Sequence, residues 1–231
     1  MLSNDLLTTF RPSEYTAALL RTVECATACR AFEKAIEIGV GNGIVLGAIG
    51  SANVDRLWGI DIEPDALRAT ADLLTTVGYH ARATLALSDV WSNVPDDDFD
   101  LIATNLPHYP LSLPSKSDRL PTWSGGGRTL IDRFLRGLPD KMRSDGCAYM
   151  THLDLIGLDE TMDLIRTLGL EAHSVFVWSV CEHREHIDAL FPPGTSRCVP
   201  TTLRRYGAYD FVDSRVLEIG WSGHSPVMGR V

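Results

Sequence analysis

Short apolar runs typical of buried strands alternate with helical patterns along most of this 231-residue chain. Strands are predicted at 35–38, 57–60, 81–87, 99–104 and 147–153, and helices at 44–49, 64–77, 130–142 and 159–168. A strand followed by a helix, repeated in this way, builds a parallel sheet that helices cover on both faces. The alternation therefore predicts a doubly wound α/β fold.

The two ends of the chain depart from this alternation. A helix is predicted at 13–31, because apolar residues recur at helical spacing after Pro12, a residue suited to a first turn. Runs at 172–180 and 211–219 lack a long helix between them and predict an antiparallel pair of strands at the edge of the sheet. We expect a helical extension at 1–32, a main domain at 33–220 and a tail at 221–231 that shows no pattern and is a candidate for disorder.

The composition is that of an ordinary globular protein, with 45% hydrophobic and 22% charged residues. There is no apolar run long enough to span a bilayer, and Asp5 lies where a signal peptide would carry cationic residues. The five cysteines form no dense framework of the kind that disulfide-rich secreted proteins have. These features predict a soluble cytoplasmic protein without membrane association and with reduced thiols.

The net charge of −9 is unevenly distributed. Its acidic excess lies mainly in the first hundred residues, and an acidic chain is a poor binder of nucleic acid. The sign reverses between Lys116 and Arg143, where seven bases face three acids. This basic segment is either a solvated helix face or a surface that receives an anionic substrate, and the sequence leaves both open.

The segment 37–43, E-I-G-V-G-N-G, follows a predicted strand and precedes a predicted helix. Glycine at such a place lets the backbone approach a ligand at the carboxyl end of a parallel sheet. The third glycine, Gly43, comes one residue too early for the G-x-G-x-x-G dinucleotide fingerprint. The ligand therefore need not be a dinucleotide, and the carboxylate of Glu37 suits a ligand with an ammonium group.

Acidic residues also follow the next two strands. Asp61 ends the second strand, where a carboxylate can accept hydrogen bonds from both ribose hydroxyls, and Asp89 follows the third strand, within reach of an adenine amino group. Each acid alone could be a helix cap or a turn residue. Their occurrence at successive strand ends, beside the glycine loop, favours binding of a nucleoside.

Three segments now carry a family resemblance: E-I-G-V-G-N-G, then G-I-D-I-E-P-D-A-L, then S-D-V-W-S-N-V-P-D-D-D-F-D-L-I-A-T-N-L-P-H. Together they resemble the class I S-adenosylmethionine-dependent methyltransferases, and among these the HemK-like group, which modifies amino nitrogens of glutamine or adenine. The resemblance runs from about 10 to 177 and includes a P-x-E-x-T segment at 12–16 and a W-x-G-G segment at 123–126. It implies a Rossmann-like, mostly parallel seven-stranded sheet with an antiparallel edge strand.

The resemblance further implies S-adenosyl-L-methionine as the cofactor. Glu37, Gly39 and Gly41 would hold the methionine end, Asp61 the ribose, and Asp89 with Val90 the adenine, while Thr16 would reach the methionine carboxylate. The full set of expected cofactor contacts is Thr16, Glu37, Gly39, Gly41, Asp61, Ile62, Asp89, Val90 and Asn105.

The segment Asn105-Leu106-Pro107-His108 lies where this group has N-P-P-Y. In the family motif, the Asn side-chain oxygen and the carbonyl of the following Pro accept hydrogen bonds from the target amine, and the aromatic residue stacks on the planar acceptor. Accepting both N–H groups points the nitrogen lone pair at the methyl carbon. We expect Asn105, Pro107 and His108 to be the catalytic residues, with His108 as a substrate contact, a general base or a loop residue without a chemical role.

The loop that follows is long and rich in proline, which favours a substrate-binding lid beside the acceptor. The residues expected to contact the substrate are Tyr15, Tyr109, Trp123 and Arg128. Because the N-P-P-Y motif is altered and the chain is acidic, these features together predict methyl transfer to a nitrogen, or another nucleophile, of a small-molecule acceptor.

Other functions stay open. A HemK-like enzyme would modify a protein glutamine or a nucleobase amine, so a protein substrate or partner is possible. A second alternative uses S-adenosylmethionine for non-methyl transfer or cyclisation, and a third is a module that only holds the cofactor. Cys181, His183 and His186 match no zinc-ligand spacing, so no metal is expected.

Overall fold

The computed structural model describes residues 11–96, 98–107, 127–190, 203–223 and 225–227. Its helices are α1 (Glu14–Cys29), α2 (Ile44–Ser51), α3 (Pro64–Thr76), α4 (Thr129–Lys141), α5 (Leu158–Thr167) and α6 (Arg184–Leu190). Its strands are β1 (Lys34–Ile38), β2 (Arg56–Asp61), β3 (Ala83–Leu87), β4 (Phe99–Thr104), β5 (Met142–Leu153), β6 (Leu170–His183), β7 (Arg204–Tyr206) and β8 (Tyr209–Trp221).

The strands form one sheet in the order β3-β2-β1-β4-β5-β8-β6, and β7 pairs with β8. Strands β1 to β5 pair in parallel, whereas β8 is antiparallel to both β5 and β6. The predicted doubly wound, mostly parallel α/β fold is confirmed. The chain reverses direction across the sheet between β1 and β4, and ligands of such folds bind in the crevice at this switch point.

One detail of the predicted sheet is corrected. The antiparallel strand is not at the edge, because β8 lies one place inside it and β6 forms the edge. Burial explains the order: residues Val216 to Gly220 of β8 are all buried, whereas the buried residues of β6 are Leu170, Val175 and Val180 and its other residues are partly or fully exposed. A strand buried on both faces belongs in the interior of a sheet. The short strand β7 was not predicted, since its three residues are all exposed.

The two faces of the sheet carry separate apolar layers. Successive strand residues point to opposite faces, so Ala35 and Leu101 pack with α1, α2 and α3, and Ile36 and Ile102 pack with α4 and α5. Helix α1 begins with a capping box in which the Ser13 side chain accepts from the backbone N–H of Thr16. This helix brings Thr16 to the crevice at the switch point. None of the described helices is long and apolar enough to cross a membrane.

Candidate active site

The carboxyl ends of β1, β2 and β4 open into a cavity of about 210 Å³. Its lining is Ile38, Gly39, Gly41, Asp61, Ile62, Glu63, Ser88, Asp89, Val90, Asn105, Leu106, Pro107 and Leu130. A second cavity, of about 130 Å³, lies beside it and is lined by Arg11, Thr16, Glu37, Gly39, Val40, Gly41, Asn42, Val45 and Asn105. We call them the nucleoside cavity and the amino-acid cavity, after the ends of the predicted ligand. They share Gly39, Gly41 and Asn105, so an extended ligand can occupy both.

Backbone hydrogen bonds fix the glycine loop against β2. The N–H groups of Gly39 and Val40 both donate to the carbonyl of Ile60, at 2.8 and 3.1 Å. The N–H of Gly41 donates to Oδ2 of Asp61 at 3.0 Å, and Oδ1 of Asp61 accepts from the N–H of Glu63 at 2.9 Å. Asp61 therefore connects the loop to the end of β2 while lining the nucleoside cavity.

Positive φ angles make glycine necessary in this loop for two different reasons. Gly41 has φ +53°, and a Cβ there would meet no neighbouring atom. Gly43 has φ +78°, and a Cβ there would lie 2.8 Å from the side chain of Thr70 on α3. Gly41 is thus required by backbone conformation alone, whereas Gly43 also permits close packing between the loop and α3.

Glu37 lies on β1 with only 3% of its surface exposed. Its Oε2 has no hydrogen-bond partner among the described residues. Burial raises the pKa of the Glu37 carboxyl well above its usual range, and the nearby charge of Asp61 adds to the rise, whereas a hydrogen bond from the backbone of Leu46 opposes it. A buried carboxylate with an unpartnered oxygen fits a cationic group such as the ammonium end of an amino acid.

The two carboxylates predicted to hold a nucleoside differ in their surroundings. Burial is the main cause that raises the pKa of Asp61, although hydrogen bonds from Gly41 and Glu63 oppose it. Asp89 is more exposed, and its Oδ1 accepts a hydrogen bond from Arg133 at 3.0 Å. Val90, next to Asp89, has φ +54°, a strained conformation for a β-branched residue, and its side chain is buried in the apolar layer.

Asn105 follows β4 directly and lines both cavities. Its Oδ1 accepts a hydrogen bond from Oγ1 of Thr151 at 2.7 Å, and its Nδ2 donates to Oγ1 of Thr16 at 3.4 Å. Pro107 lines the nucleoside cavity. The other predicted residues of this region, His108, Tyr109 and Trp123, lie outside the described residues.

Two residues predicted to contact the substrate instead make contacts within the fold. Tyr15 is 5% exposed, its ring packs edge-on against Trp178, and its hydroxyl lies 3.3 Å from Oγ of Ser214. Arg128 donates to the carbonyls of Ile156 and Gly157 at 3.0 and 2.9 Å. Neither residue is among those that line the two cavities in the described part of the chain. The fold gives both residues structural contacts and lends no support to substrate binding by either.

The structure also brings to the site residues that were not predicted from the sequence. Arg11 is the one basic side chain among the described residues that line the amino-acid cavity, opposite in charge to Glu37. Its place directly before the P-x-E-x-T segment was the available signal. Leu106 lines the nucleoside cavity, and its Cδ2 lies 3.2 Å from where a Cβ of Gly39 would be. A side chain at position 39 would thus displace the residue after Asn105.

No group of three potential metal ligands occurs within the described ranges, which leave out the side chain of His186. The expectation that the protein binds no metal remains a prediction.

No protein-family model matches the chain. Two curated proteins resemble it in sequence. A protein of Methanocaldococcus jannaschii, whose name proposes a protein N5-glutamine methyltransferase, is 29% identical over 140 residues, which are 59% of this chain and 70% of the relative. The human methyltransferase HEMK2 is 27% identical over 172 residues, 70% of this chain and 79% of the relative.

Solved structures of methyltransferases share the fold at low sequence identity. A ribosomal protein L11 methylase from Lactobacillus delbrueckii subsp. bulgaricus aligns with a TM-score of 0.56 at 13% identity, over 88% of this chain and 79% of the other. A precorrin-6y C5,15-methyltransferase from Geobacter metallireducens aligns with a TM-score of 0.56 at 13% identity, over 93% and 91%. At this identity the alignments establish the fold alone, and the two names show that this fold serves unlike acceptors.

The names of the two sequence relatives support the HemK-like resemblance. One of these names specifies protein glutamine, and no comparison supports the small-molecule acceptor predicted from the sequence. The names of the two sequence relatives confirm the predicted enzyme class, an S-adenosylmethionine-dependent methyltransferase.

Proposed function

We propose that this protein transfers the methyl group of S-adenosylmethionine to the side-chain amide nitrogen of a glutamine in a protein substrate. The observation that carries the proposal is the position of Asn105, at the junction shared by the nucleoside and amino-acid cavities. The names of the two sequence relatives support the reaction class, and one of them specifies protein glutamine.

The charges of the amino-acid cavity match the zwitterionic end of the cofactor. Glu37 offers an unpartnered, buried carboxylate oxygen to the ammonium group, and Arg11 offers a guanidinium to the carboxylate. Thr16 lines the same cavity and adds a hydroxyl group. Opposite charges placed across one small cavity favour a zwitterion over a simple cation or anion.

The nucleoside cavity supplies the complementary half. Asp61 would accept hydrogen bonds from the ribose, with Ile62 beside it, and Asp89 with Val90 would border the adenine. Gly39 and Gly41 have no side chains to obstruct the passage between the two cavities. Bound here, S-adenosylmethionine supplies an electrophilic methyl group on a sulfonium centre.

Asn105 would orient the acceptor. Its Oδ1 would accept one N–H of the glutamine amide, and a backbone carbonyl of the 106–107 segment would accept the other, as the family resemblance implies. Because that second acceptor belongs to the backbone, Leu106 can supply it as well as the Pro of the N-P-P-Y motif. The nitrogen loses one proton as its bond to carbon forms, and His108 is our candidate to receive it.

Labelled methyl transfer tests this function. Purified protein is incubated with S-adenosylmethionine labelled in its methyl group and a nuclease-treated bacterial cell extract, and digested proteins are examined by mass spectrometry for N5-methylglutamine. We expect this modification together with S-adenosylhomocysteine as the co-product. Asn105→Ala should abolish the label, and the loss of turnover should be much larger than the loss of affinity for S-adenosylhomocysteine, because Asn105 lines both cavities but orients the acceptor through its amide.

Other products would contradict the proposal in distinct ways. Label in the small-molecule fraction would restore the acceptor first predicted from the sequence, and label in adenine of added nucleic acid would indicate a nucleobase methyltransferase. Formation of methylthioadenosine would show that another carbon of the cofactor is transferred. Binding without any turnover would identify a module that only holds the cofactor.

A further inference from the structure

Asn105 is held from two sides by hydroxyl groups on different elements. Thr151, on β5, donates to its Oδ1 at 2.7 Å, and Thr16, on α1, accepts from its Nδ2 at 3.4 Å. The shorter of the two bonds involves the deeper residue, since Thr151 is fully buried and Thr16 is partly exposed. Thr151 was not selected from the sequence and lines neither cavity within the described residues.

The sheet itself brings Thr151 to Asn105. Strands β4 and β5 pair in parallel with Thr104 opposite Met150, so Asn105, the first residue after β4, lies beside Thr151, which continues in β5 and pairs with Val216 of β8. A β-branched side chain in a strand has few rotamers, which limits the directions in which its hydroxyl can point. The position of Thr151 is thus set by the sheet and does not depend on the acceptor loop.

The orientation of the Asn105 side-chain amide matters because its oxygen and its NH₂ group are nearly equal in shape, whereas the oxygen accepts hydrogen bonds and the NH₂ group donates them. An oxygen facing the acceptor accepts its N–H groups, whereas an NH₂ group there would oppose them donor to donor. If the amide turned over, the Thr151 oxygen would accept from the NH₂ group, and the hydroxyl hydrogen of Thr151 would lose its acceptor. Among the described residues, Oδ1 of Asn105 is the acceptor that this buried hydroxyl reaches.

The cost of turning falls on the buried hydroxyl. A buried donor without an acceptor is unfavourable, because it has lost its hydrogen bond to water. Thr16, which is only partly buried, can satisfy its hydroxyl from water or ligand in either orientation of the amide. Thr151 therefore decides the orientation more strongly than Thr16 does.

We propose that Thr151 is a positioning residue that holds the Asn105 amide with its oxygen available to the acceptor nitrogen. The inference rests on the proposed function, in which Asn105 binds the acceptor amide. Thr151 itself touches neither the cofactor nor the substrate, and its effect passes through Asn105.

Substitution by valine tests this role in turnover, because Thr151→Val removes the hydroxyl and keeps the shape. We expect kcat for methylation of the extract proteins to fall about fivefold to twentyfold, as the loss of one hydrogen bond implies. The affinity for S-adenosylhomocysteine should stay within about twofold of wild type. Thr151→Ser restores the hydroxyl and should restore most of kcat.

A matched control is Thr22→Val. Thr22 is also buried, and its hydroxyl donates to the carbonyl of Ala18 within α1, away from Asn105. Its turnover should stay near that of wild type. Equal losses in Thr151→Val and Thr22→Val, or no rescue by Thr151→Ser, would show a merely structural role and overturn the proposal.

A second measurement needs neither cofactor nor acceptor. In protein labelled with ¹⁵N-asparagine, the side-chain NH₂ signals of Asn105 are assigned by their loss in Asn105→Ala. We expect these signals to shift in Thr151→Val and to return in Thr151→Ser, with no change in Thr22→Val. Thr151→Ala is used in the same way if the valine variant does not fold.

The two measurements distinguish a failure of the inference about Thr151 from a failure of the proposed function. Unchanged NH₂ signals in Thr151→Val would overturn the inference whatever the reaction is. Shifted signals in a wild-type protein that methylates no protein glutamine would instead refute the proposed function, and with it the catalytic role assigned to Thr151, while leaving the contact itself established.

Discussion

The carboxylate of Asp61 accepts hydrogen bonds from two loops, with Oδ2 bound to the N–H of Gly41 at 3.0 Å and Oδ1 to the N–H of Glu63 at 2.9 Å. Gly41 belongs to the loop after β1, and Asp61 ends β2. One side chain thus fixes the glycine loop and faces the cavity proposed for the nucleoside. Loop order and ligand affinity should therefore change together when it is altered.

Asp61→Asn should weaken the binding of S-adenosylhomocysteine by about tenfold or more, which corresponds to about 1.4 kcal/mol or more. An amide has one acceptor oxygen for two N–H donors, so its NH₂ group would face one of them. Isothermal titration calorimetry measures the change. Asp65→Asn, a change in the first turn of α3 at a residue that is not among the described residues lining either cavity, is the control, and equal affinity in the two variants would contradict this view of Asp61.

Glu37→Gln should raise the free energy of unfolding of the ligand-free protein at neutral pH. The folded protein holds the Glu37 proton more tightly than the unfolded chain does, because burial raises the pKa of this carboxyl. Its ionisation therefore lowers stability as the pH rises from the usual carboxyl range through the raised pKa. The glutamine variant lacks this loss, and urea unfolding over a series of pH values would reveal it. A variant less stable than wild type at neutral pH would count against the assignment.

The same substitution should weaken ligand binding. In wild type, the affinity for S-adenosylhomocysteine should fall as the pH is lowered through the raised pKa of Glu37, because the ammonium group attracts the ionised carboxylate. In Glu37→Gln the affinity should be low and should depend less on pH. Calorimetry at several pH values tests this. Asp61, whose pKa is also raised, leaves a residual dependence in the variant.

Gly43→Ala should destabilise the fold more than Gly41→Ala does. Both positions have positive φ, which costs an alanine roughly 1–2 kcal/mol. At Gly43 the added methyl group would also lie 2.8 Å from the side chain of Thr70. Chemical denaturation measures the free energy of unfolding of the two variants. Equal values would show that α3 moves away from the added methyl group without loss of stability.

Arg128→Lys should lower stability by about 1–3 kcal/mol even though it keeps the charge. One terminal nitrogen of Arg128 donates to the carbonyls of Ile156 and Gly157 and to Thr161, and the other binds Asp132 at 2.7 Å. A lysine amino group cannot reproduce this fork. Arg21→Lys, on an exposed face of α1, is the control. If stability is unchanged and only the KM for the acceptor rises, Arg128 binds substrate as first predicted.

Most helices and strands could be predicted from the sequence alone. Strand and helix positions followed from the periodicity of buried residues, and the N-terminus of α1 followed from Pro12 and the residues after it. The order of β8 and β6 in the sheet could not be predicted, because the sequence pattern of an antiparallel pair is the same whichever of its two strands pairs with the rest of the sheet. Only the burial of β8 on both faces decided it.

The site shows the same division. Glu37, Asp61 and Asn105 could be predicted because each lies in or directly after the last two residues of a strand, and parallel strands place their carboxyl ends at one edge. Arg11, Thr151 and the contacts of Arg128 were not found, because each depends on a partner far along the chain. The bond from Thr151 to Asn105 joins residues 46 positions apart.

The sequence by itself determined the class of fold, the glycine loop and the acids at the strand ends, since these depend on neighbours within a few residues. The tertiary structure decided which side chains face one another across the sheet. In the folded protein, Glu37 is buried with an unpartnered oxygen among the described residues. Tyr15 and Arg128 make hydrogen bonds within the fold, and Thr151 lies beside Asn105. Those outcomes depend on strand register and helix packing, which bring together residues that no local pattern connects.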